Sequence, residues 1–216
     1  MTIDKLIKKD IDEIISLLIE AGLCDDQNFT SITECNGIKC ITFDKNCDLS
    51  TPLKNIEYDY IYEELNKNRQ YTMKFADGNL VQLMYKIENG EIASHRLAVF
   101  PSRNLEPFQN ETELYSCDCI YADILKKNIV SVPIRFDYAS EELPNHPYSH
   151  MSLGQYKNCR IPVYGPVMPK TFIKFILKSF YNTFYKEKCI NMLDDSFENI
   201  YTIRDSEKKD LHFFIS

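Results

Sequence analysis

The sequence predicts an α+β fold: a mostly antiparallel sheet with N-terminal helices and a C-terminal Phe-rich helix packed on it. Three observations predict it. Two turn pairs, Asp77-Gly78 and Asn89-Gly90, punctuate alternating apolar runs between Tyr71 and Phe100, the pattern of an antiparallel meander. Before the meander, Leu6, Ile7, Ile11, Ile14, Ile15 and Leu18 recur at helical spacing. After it, Phe172, Phe175, Ile176, Phe180 and Phe184 do the same.

Composition sets the frame. With 216 residues and 44% hydrophobic side chains, the chain can bury the core of one domain, read as a helical part over 1–68 and a sheet core with its packing helix over 70–188. A net charge of −7 excludes a surface coated in positive charge for nucleic acid, though not a local basic cleft. Among the eight cysteines, Cys35-x4-Cys40-x6-Cys47 and Cys117-x-Cys119 contain no C-x2-C pair, and Cys24, Cys159 and Cys189 are scattered. Reduced thiols in a cytoplasmic protein are the expectation. Met1 to Gly22 is too charged for a signal peptide, and no stretch reaches the ~18 apolar residues of a membrane span.

The elements follow in order. Thr2 to Gly22 reads as a helix closed by a Gly cap, with Lys8, Lys9, Asp12 and Glu13 on a solvated face that leaves the helix open to a protein partner. Asp25 to Leu53 reads as irregular except for a short strand over Ile38–Phe43. A second helix over Ile56–Asn68 carries the stripe Tyr58, Ile61, Tyr62 and Leu65. The meander strands are Tyr71–Phe75, Leu80–Ile87 and Ile92–Phe100, the last stopped by Pro101. Pro107 and Asn110 mark a loop, and Leu114–Leu125 fits strand and helix equally. A hairpin comes next, because Ile134, Phe136 and Tyr138 alternate with Arg135 and Asp137, and Met151 and Leu153 alternate with His150 and Ser152. Pro162, Pro166 and Pro169 break the chain before a helix over Lys170–Lys188, and Leu211–Ile215 reads as a last edge strand.

Chemistry concentrates in the hairpin. On a strand, Arg135 and Asp137 point the same way with Cβ atoms about 6–7 Å apart. Pairing places His150 and Ser152 on that face, with His146 at its rim. His95 and Arg96 point to opposite faces. His95 shares parity with Leu97 and Val99 and belongs to the core, which leaves Arg96 for the site.

A structural salt bridge and hydrogen-bonded imidazoles account for the same residues without a site. The functional account makes His150 and His146 general acid and base, and Arg135 a phosphate holder beside Asp137, which orients an imidazole or anchors the guanidinium. Arg96, Ser152, Arg160 and Tyr138 would bind substrate. A divalent metal held by Asp137, His146 and His150 with Asp118 or Asp123 is the next alternative, but the sequence has no H-E-x-x-H or H-x-H pair, and no organic cofactor is expected. Cys159 beside Arg160 is a weaker candidate nucleophile. Arg96, Arg103, Arg135 and Arg160 among Tyr121, Tyr138, Tyr148 and Tyr156 suit RNA or single-stranded DNA, by phosphate contacts and base stacking.

R-F-D-Y from Arg135, H-P-x-S-H-x-x-x-G from His146, C-R-I-P-V from Cys159 and the upstream run His95 to Ser102 together resemble the bacterial domain-of-unknown-function 2290 family over roughly residues 70 to 185. That resemblance implies an architecture and little mechanism. More loosely, the R-F-D-Y and H-x-x-x-H layout is similar to small bacterial ribonuclease toxins, which implies a defence or toxin setting. The function expected is a nuclease-like hydrolase cleaving RNA without metal. The alternative is a non-catalytic adaptor whose polar cluster is structural.

Overall fold

The protein is described here by a computed structural model, which covers residues 1–43, 56–102, 132–141, 146–156, 158–189 and 200–214. Among these residues the centre is a nine-stranded antiparallel sheet. The strands are β1 (Cys24–Gln27), β2 (Ser31–Cys35), β3 (Ile38–Thr42), β4 (Met73–Phe75), β5 (Leu80–Glu88), β6 (Glu91–Phe100), β7 (Ile134–Ala139), β8 (Ser149–Leu153) and β9 (Ile161–Pro162). The main path runs β1-β4-β5-β6-β7-β8-β9, and β3 pairs with β5 and with β2. The fold class is therefore α+β, as the turn pairs and periodicities imply. At Asn89-Gly90 both residues take positive φ, 52° and 82°, the geometry a two-residue hairpin turn needs.

Period-2 alternation gives the sheet two different faces. Val81, Leu83, Tyr85, Leu97, Val99, Phe136 and Met151 form one core with helix α1 (Ile3–Glu20) and helix α3 (Pro169–Phe180). From α1, Ile7, Ile11, Ile14, Ile15 and Leu18 enter it without solvent exposure. On the other face Leu80, Ala98 and Phe100 pack under helix α2 (Tyr58–Lys67) through Tyr58, Ile61 and Leu65. The molecule has three layers, with α1 and α3 on one side of the sheet and α2 on the other.

Four expectations need correction. The stretch after Asp25 is not irregular: β1 and β2 form there and join the sheet, so part of residues 1–68 belongs to the sheet rather than to a helical part. Their side chains are mostly polar and half-exposed, so apolar alternation is faint. The helix expected over Lys170–Lys188 stops at Phe180, and Tyr181 leaves helical geometry at φ −130° and ψ 49°. The cause is a buried network. The Tyr181 hydroxyl donates to Asp77 Oδ2 at 2.6 Å and accepts from Asn79 Nδ2 at 2.6 Å. A short helix α4 (Asn182–Phe184) and a π turn (Tyr185–Cys189) follow. The break also moves the stripe: Phe172, Ile173, Ile176, Leu177 and Phe184 are buried, whereas Phe180 only packs against the core edge. Finally, Leu211 to Phe214 make a single parallel bridge, Val163 with Phe213, instead of an edge strand. The Leu114–Leu125 segment lies outside the described residues.

Candidate functional site

Strand register builds the site. Arg96 on β6 stands opposite Asp137 on β7, and Asp137 stands opposite His150 on β8. One rung along, Ala98, Arg135 and Ser152 line up in the same way. Ala98 packs under α2, so by parity the polar rungs lie on the α2 face, beside that helix. Arg135, Asp137, His150 and Ser152 thus share one face, and Arg96 joins them from the third strand. Arg96 and Arg135 line one narrow crevice with Tyr58, Ile61 and Gln155.

The contacts are few and incomplete. Arg96 Nε donates to Asp137 Oδ1 at 2.8 Å. His150 Nε2 is 4.0 Å from Asp137 Oδ2, an electrostatic neighbour rather than a hydrogen-bond partner. The His146 ring meets the His150 ring edge-on, 4.6 Å between centroids and 84° between planes. His146 Nδ1 lies 2.9 Å from the Pro147 carbonyl, which can only accept, so Nδ1 carries a proton and Nε2 is the free nitrogen. Arg96 Nη1, Arg135 Nη1 and His150 Nδ1 are buried with no hydrogen-bond partner among the described residues. Arg135 is 9% exposed and His150 5%. Unsatisfied buried donors of this kind are rare, and each calls for a reason such as a ligand.

Electrostatics follow from burial. Desolvation opposes the charge of Asp137, but Arg96 and Arg135 outweigh it and hold the carboxyl below its usual range. Burial lowers Arg135, helped by repulsion from Arg96 and resisted by Asp137. Burial also pushes His150 down to about 4 against the pull of Asp137, so its imidazole is neutral at pH 7. Two guanidiniums then face one carboxylate and a neutral ring. Among the described residues the row carries one positive charge in excess, which is what an oxyanion would balance.

The remaining expected residues fall unevenly. His95 is a core residue, 1% exposed, accepting from the Val167 amide at 2.9 Å through Nε2. Tyr138 is a correction: it stands opposite His95 and Ser149, its ring 5.7 Å from that of His95, on the face away from the Arg/His row. Sharing parity with Ile134 and Phe136 sends it to the core, so it does not bind substrate there. Arg160 is exposed yet near enough to help depress His150. Ser152 is buried at its expected rung. Arg103, Asp118, Tyr121 and Asp123 lie outside the described residues. Among the described residues no three His, Cys, Asp or Glu side chains gather as a metal site, and Cys24, Cys35 and Cys159 are free thiols.

One contributor escaped the sequence reading. Arg204 Nη2 donates to the His146 carbonyl at 2.9 Å, across 58 residues, and its guanidinium lies 5.6 Å from the centre of the Tyr148 ring. No local pattern marks it.

The comparisons place the chain in a family. The family model described as "Uncharacterized conserved protein (DUF2290)" matches residues 23–215. The match starts just after α1, whose isoleucines nonetheless complete the core. No curated protein and no solved structure matches the chain. The chain belongs to the DUF2290 family.

Proposed function

We propose that this DUF2290 member is a metal-independent nuclease that cleaves RNA, in a defence or toxin setting. The observation that carries the reading is the pair of touching imidazoles, His146 and His150, beside two guanidiniums with unpartnered buried nitrogens. Acid–base cleavage without a metal needs a nucleophile, and the 2′-hydroxyl of RNA supplies one. Neutral His150 takes the proton from that hydroxyl as it attacks phosphorus, and Asp137 stabilises the imidazolium formed. Arg135 and Arg96 hold the phosphoryl oxygens as charge builds on them. His146 must enter this step with both ring nitrogens protonated; it keeps the Nδ1 proton on the Pro147 carbonyl and gives the Nε2 proton to the departing 5′ oxygen.

Two features of this mechanism follow from the geometry. A ring held down to about 4 is a weak base, so the phosphate's own charge must raise it on binding. Attacking and leaving oxygens stand in line across phosphorus. The His146 ring must therefore withdraw from His150 when substrate enters, while the Arg204 hydrogen bond keeps its backbone in place.

The test is an RNA oligonucleotide and the same strand carrying one 2′-deoxy sugar at the cleaved position. The proposal expects cleavage of the first to a 2′,3′-cyclic phosphate and none at the substituted position. Equal cleavage of both would end it. Burial favours a second reading, a protein-binding adaptor whose polar row is structural, since Arg135, His150 and Ser152 are all nearly closed off from solvent. Protein that cuts no nucleic acid would leave that reading standing.

A further inference from the structure

We infer that the C-terminal segment forms a base-stacking platform for single-stranded nucleic acid, feeding the Arg/His row; the inference rests on the nucleic-acid reading above. Tyr201 and Phe214 are 59% and 61% exposed, an unusual state for neighbouring large rings. They stand nearly parallel, 24° apart, with centroids separated by 6.4 Å. Tyr164 lies 4.8 Å from each and turned across both, at 90° to Tyr201 and 66° to Phe214. The three rings make two walls over a floor. Two bases stacked on either side of a third sit about 6.8 Å apart, twice the ~3.4 Å rise of a stack. A nucleobase entering between Tyr201 and Phe214 therefore needs the rings to part, and each exposed ring also offers a face of its own to stack on.

The surroundings carry both signs, Asp205, Glu207 and Asp210 among Arg204, Lys208 and Lys209, and the two exposed lysines are the groups a phosphate would meet. Lys208 Nζ lies 6.0 Å from the Tyr164 ring centre, and Lys209 is exposed beside it. Lys208 is paired with Asp205 at 2.9 Å, but that carboxylate is 95% exposed, and such surface pairs hold a lysine too weakly to keep it from a phosphate. Base stacking on aromatic rings tolerates any sequence because every base has a π face.

The platform is fixed rather than floppy. Tyr164 donates its amide to Phe213 and accepts from Thr202, both at 2.9 Å. Gly165 lets residue 200 lie directly on the chain, since a Cβ there would meet the Ile200 carbonyl oxygen at 1.7 Å. Arg204 then ties the segment to the His146 carbonyl, and His146 touches His150. A base held by the rings is thus tied through Arg204, itself ion-paired with Glu207, to the segment that carries His146.

The test is fluorescence anisotropy with a labelled ten-nucleotide RNA and its duplex, using the His150→Ala protein so that nothing is cut. Single strand should bind more tightly than duplex, and adding Tyr201→Ala with Phe214→Ala should weaken single-strand binding at least tenfold. Gly165→Ala, which displaces the platform without touching a ring, should weaken it as well. Equal binding with the two rings removed, equal binding of duplex, or no binding at all would overturn the platform. So would a dimer that the ring variants convert to monomer, because the rings would then be covered by a second copy. The two proposals fail separately: binding without wild-type cleavage sinks the nuclease and keeps the platform, whereas cleavage by the wild type with ring-independent binding sinks the platform alone.

Discussion

Arg96 and Asp137 face each other across β6 and β7, joined by an Nε–Oδ1 hydrogen bond of 2.8 Å, while Nη1 of the same guanidinium is buried without a partner among the described residues. The pair is thus half of an arrangement. Asp137 is held ionised by two cations, and each cation keeps a nitrogen in reserve. Asp137→Ala leaves buried Arg135 and half-buried Arg96 beside each other with no counter-charge among the described residues. Breaking a buried pair this way costs about 3–5 kcal/mol. Denaturant unfolding of the variant should show that loss at pH 7, and adding Arg96→Met should recover part of it.

Arg135 behaves oppositely. It has an unpartnered buried nitrogen and a charge that burial disfavours. Replacing a poorly paired buried ion by an apolar side chain of similar size is often neutral or stabilising by about 1–4 kcal/mol. Arg135→Met should therefore melt at or above the wild-type temperature while losing RNA cleavage. A loss of stability together with unchanged cleavage would show Arg135 to be structural.

Packing predicts a contrast within α3. Phe172 is 1% exposed and meets Phe136 edge-on at 5.8 Å between centroids, whereas Phe180 only borders the core. Phe172→Ala should destabilise by about 3–5 kcal/mol, counting both the lost burial and the cavity. Phe180→Ala should cost clearly less, which thermal melts of the two variants would compare directly.

Acid stability depends on His95. Its imidazole is pushed down to about 4 by burial, and its Nε2 must stay unprotonated to accept from Val167. Between pH 4 and the ordinary histidine value of about 6.5 the unfolded chain binds the proton and the folded chain does not. The stability that neutral His95 contributes is full above about pH 6.5 and falls as pH drops toward 4. The loss is of the order of 3 kcal/mol for this one group, and His150 adds a second term of the same sign. Unfolding measured from pH 7 to pH 4 should fall along that window, and less steeply in His95→Gln.

Much of this was readable before the structure, for stated reasons. A two-residue turn demands positive φ, and Asn89-Gly90 announced the β5–β6 hairpin. Period-2 alternation put Arg135, Asp137, His150 and Ser152 on one face, because register fixes facing once the hairpin forms. The same rule sent Tyr138 to the core, and its place beside Phe136 already implied as much. What stayed hidden was long-range. The break at Tyr181 depends on Asp77 and Asn79, more than a hundred residues earlier. Arg204 beneath His146 and the rings of Tyr164, Tyr201 and Phe214 are likewise assembled by distant chain segments. The unpartnered nitrogens of Arg96 and Arg135 appear only once neighbours are placed, so sequence names the residues and not their unmet bonds.

The central claim is that His150 moves a proton during metal-free cleavage of RNA. Its most direct test is the single-turnover cleavage rate of a labelled RNA in excess chelator, for wild type and His150→Ala proteins with matched unfolding curves. A lost general base costs about 10²–10⁴-fold, roughly 3–5 kcal/mol of barrier. The account predicts wild-type cleavage unaffected by chelator and a fall of that size in the variant. Cleavage that vanishes with chelator and returns with Mg²⁺ or Mn²⁺, or a variant as fast as wild type, would contradict it.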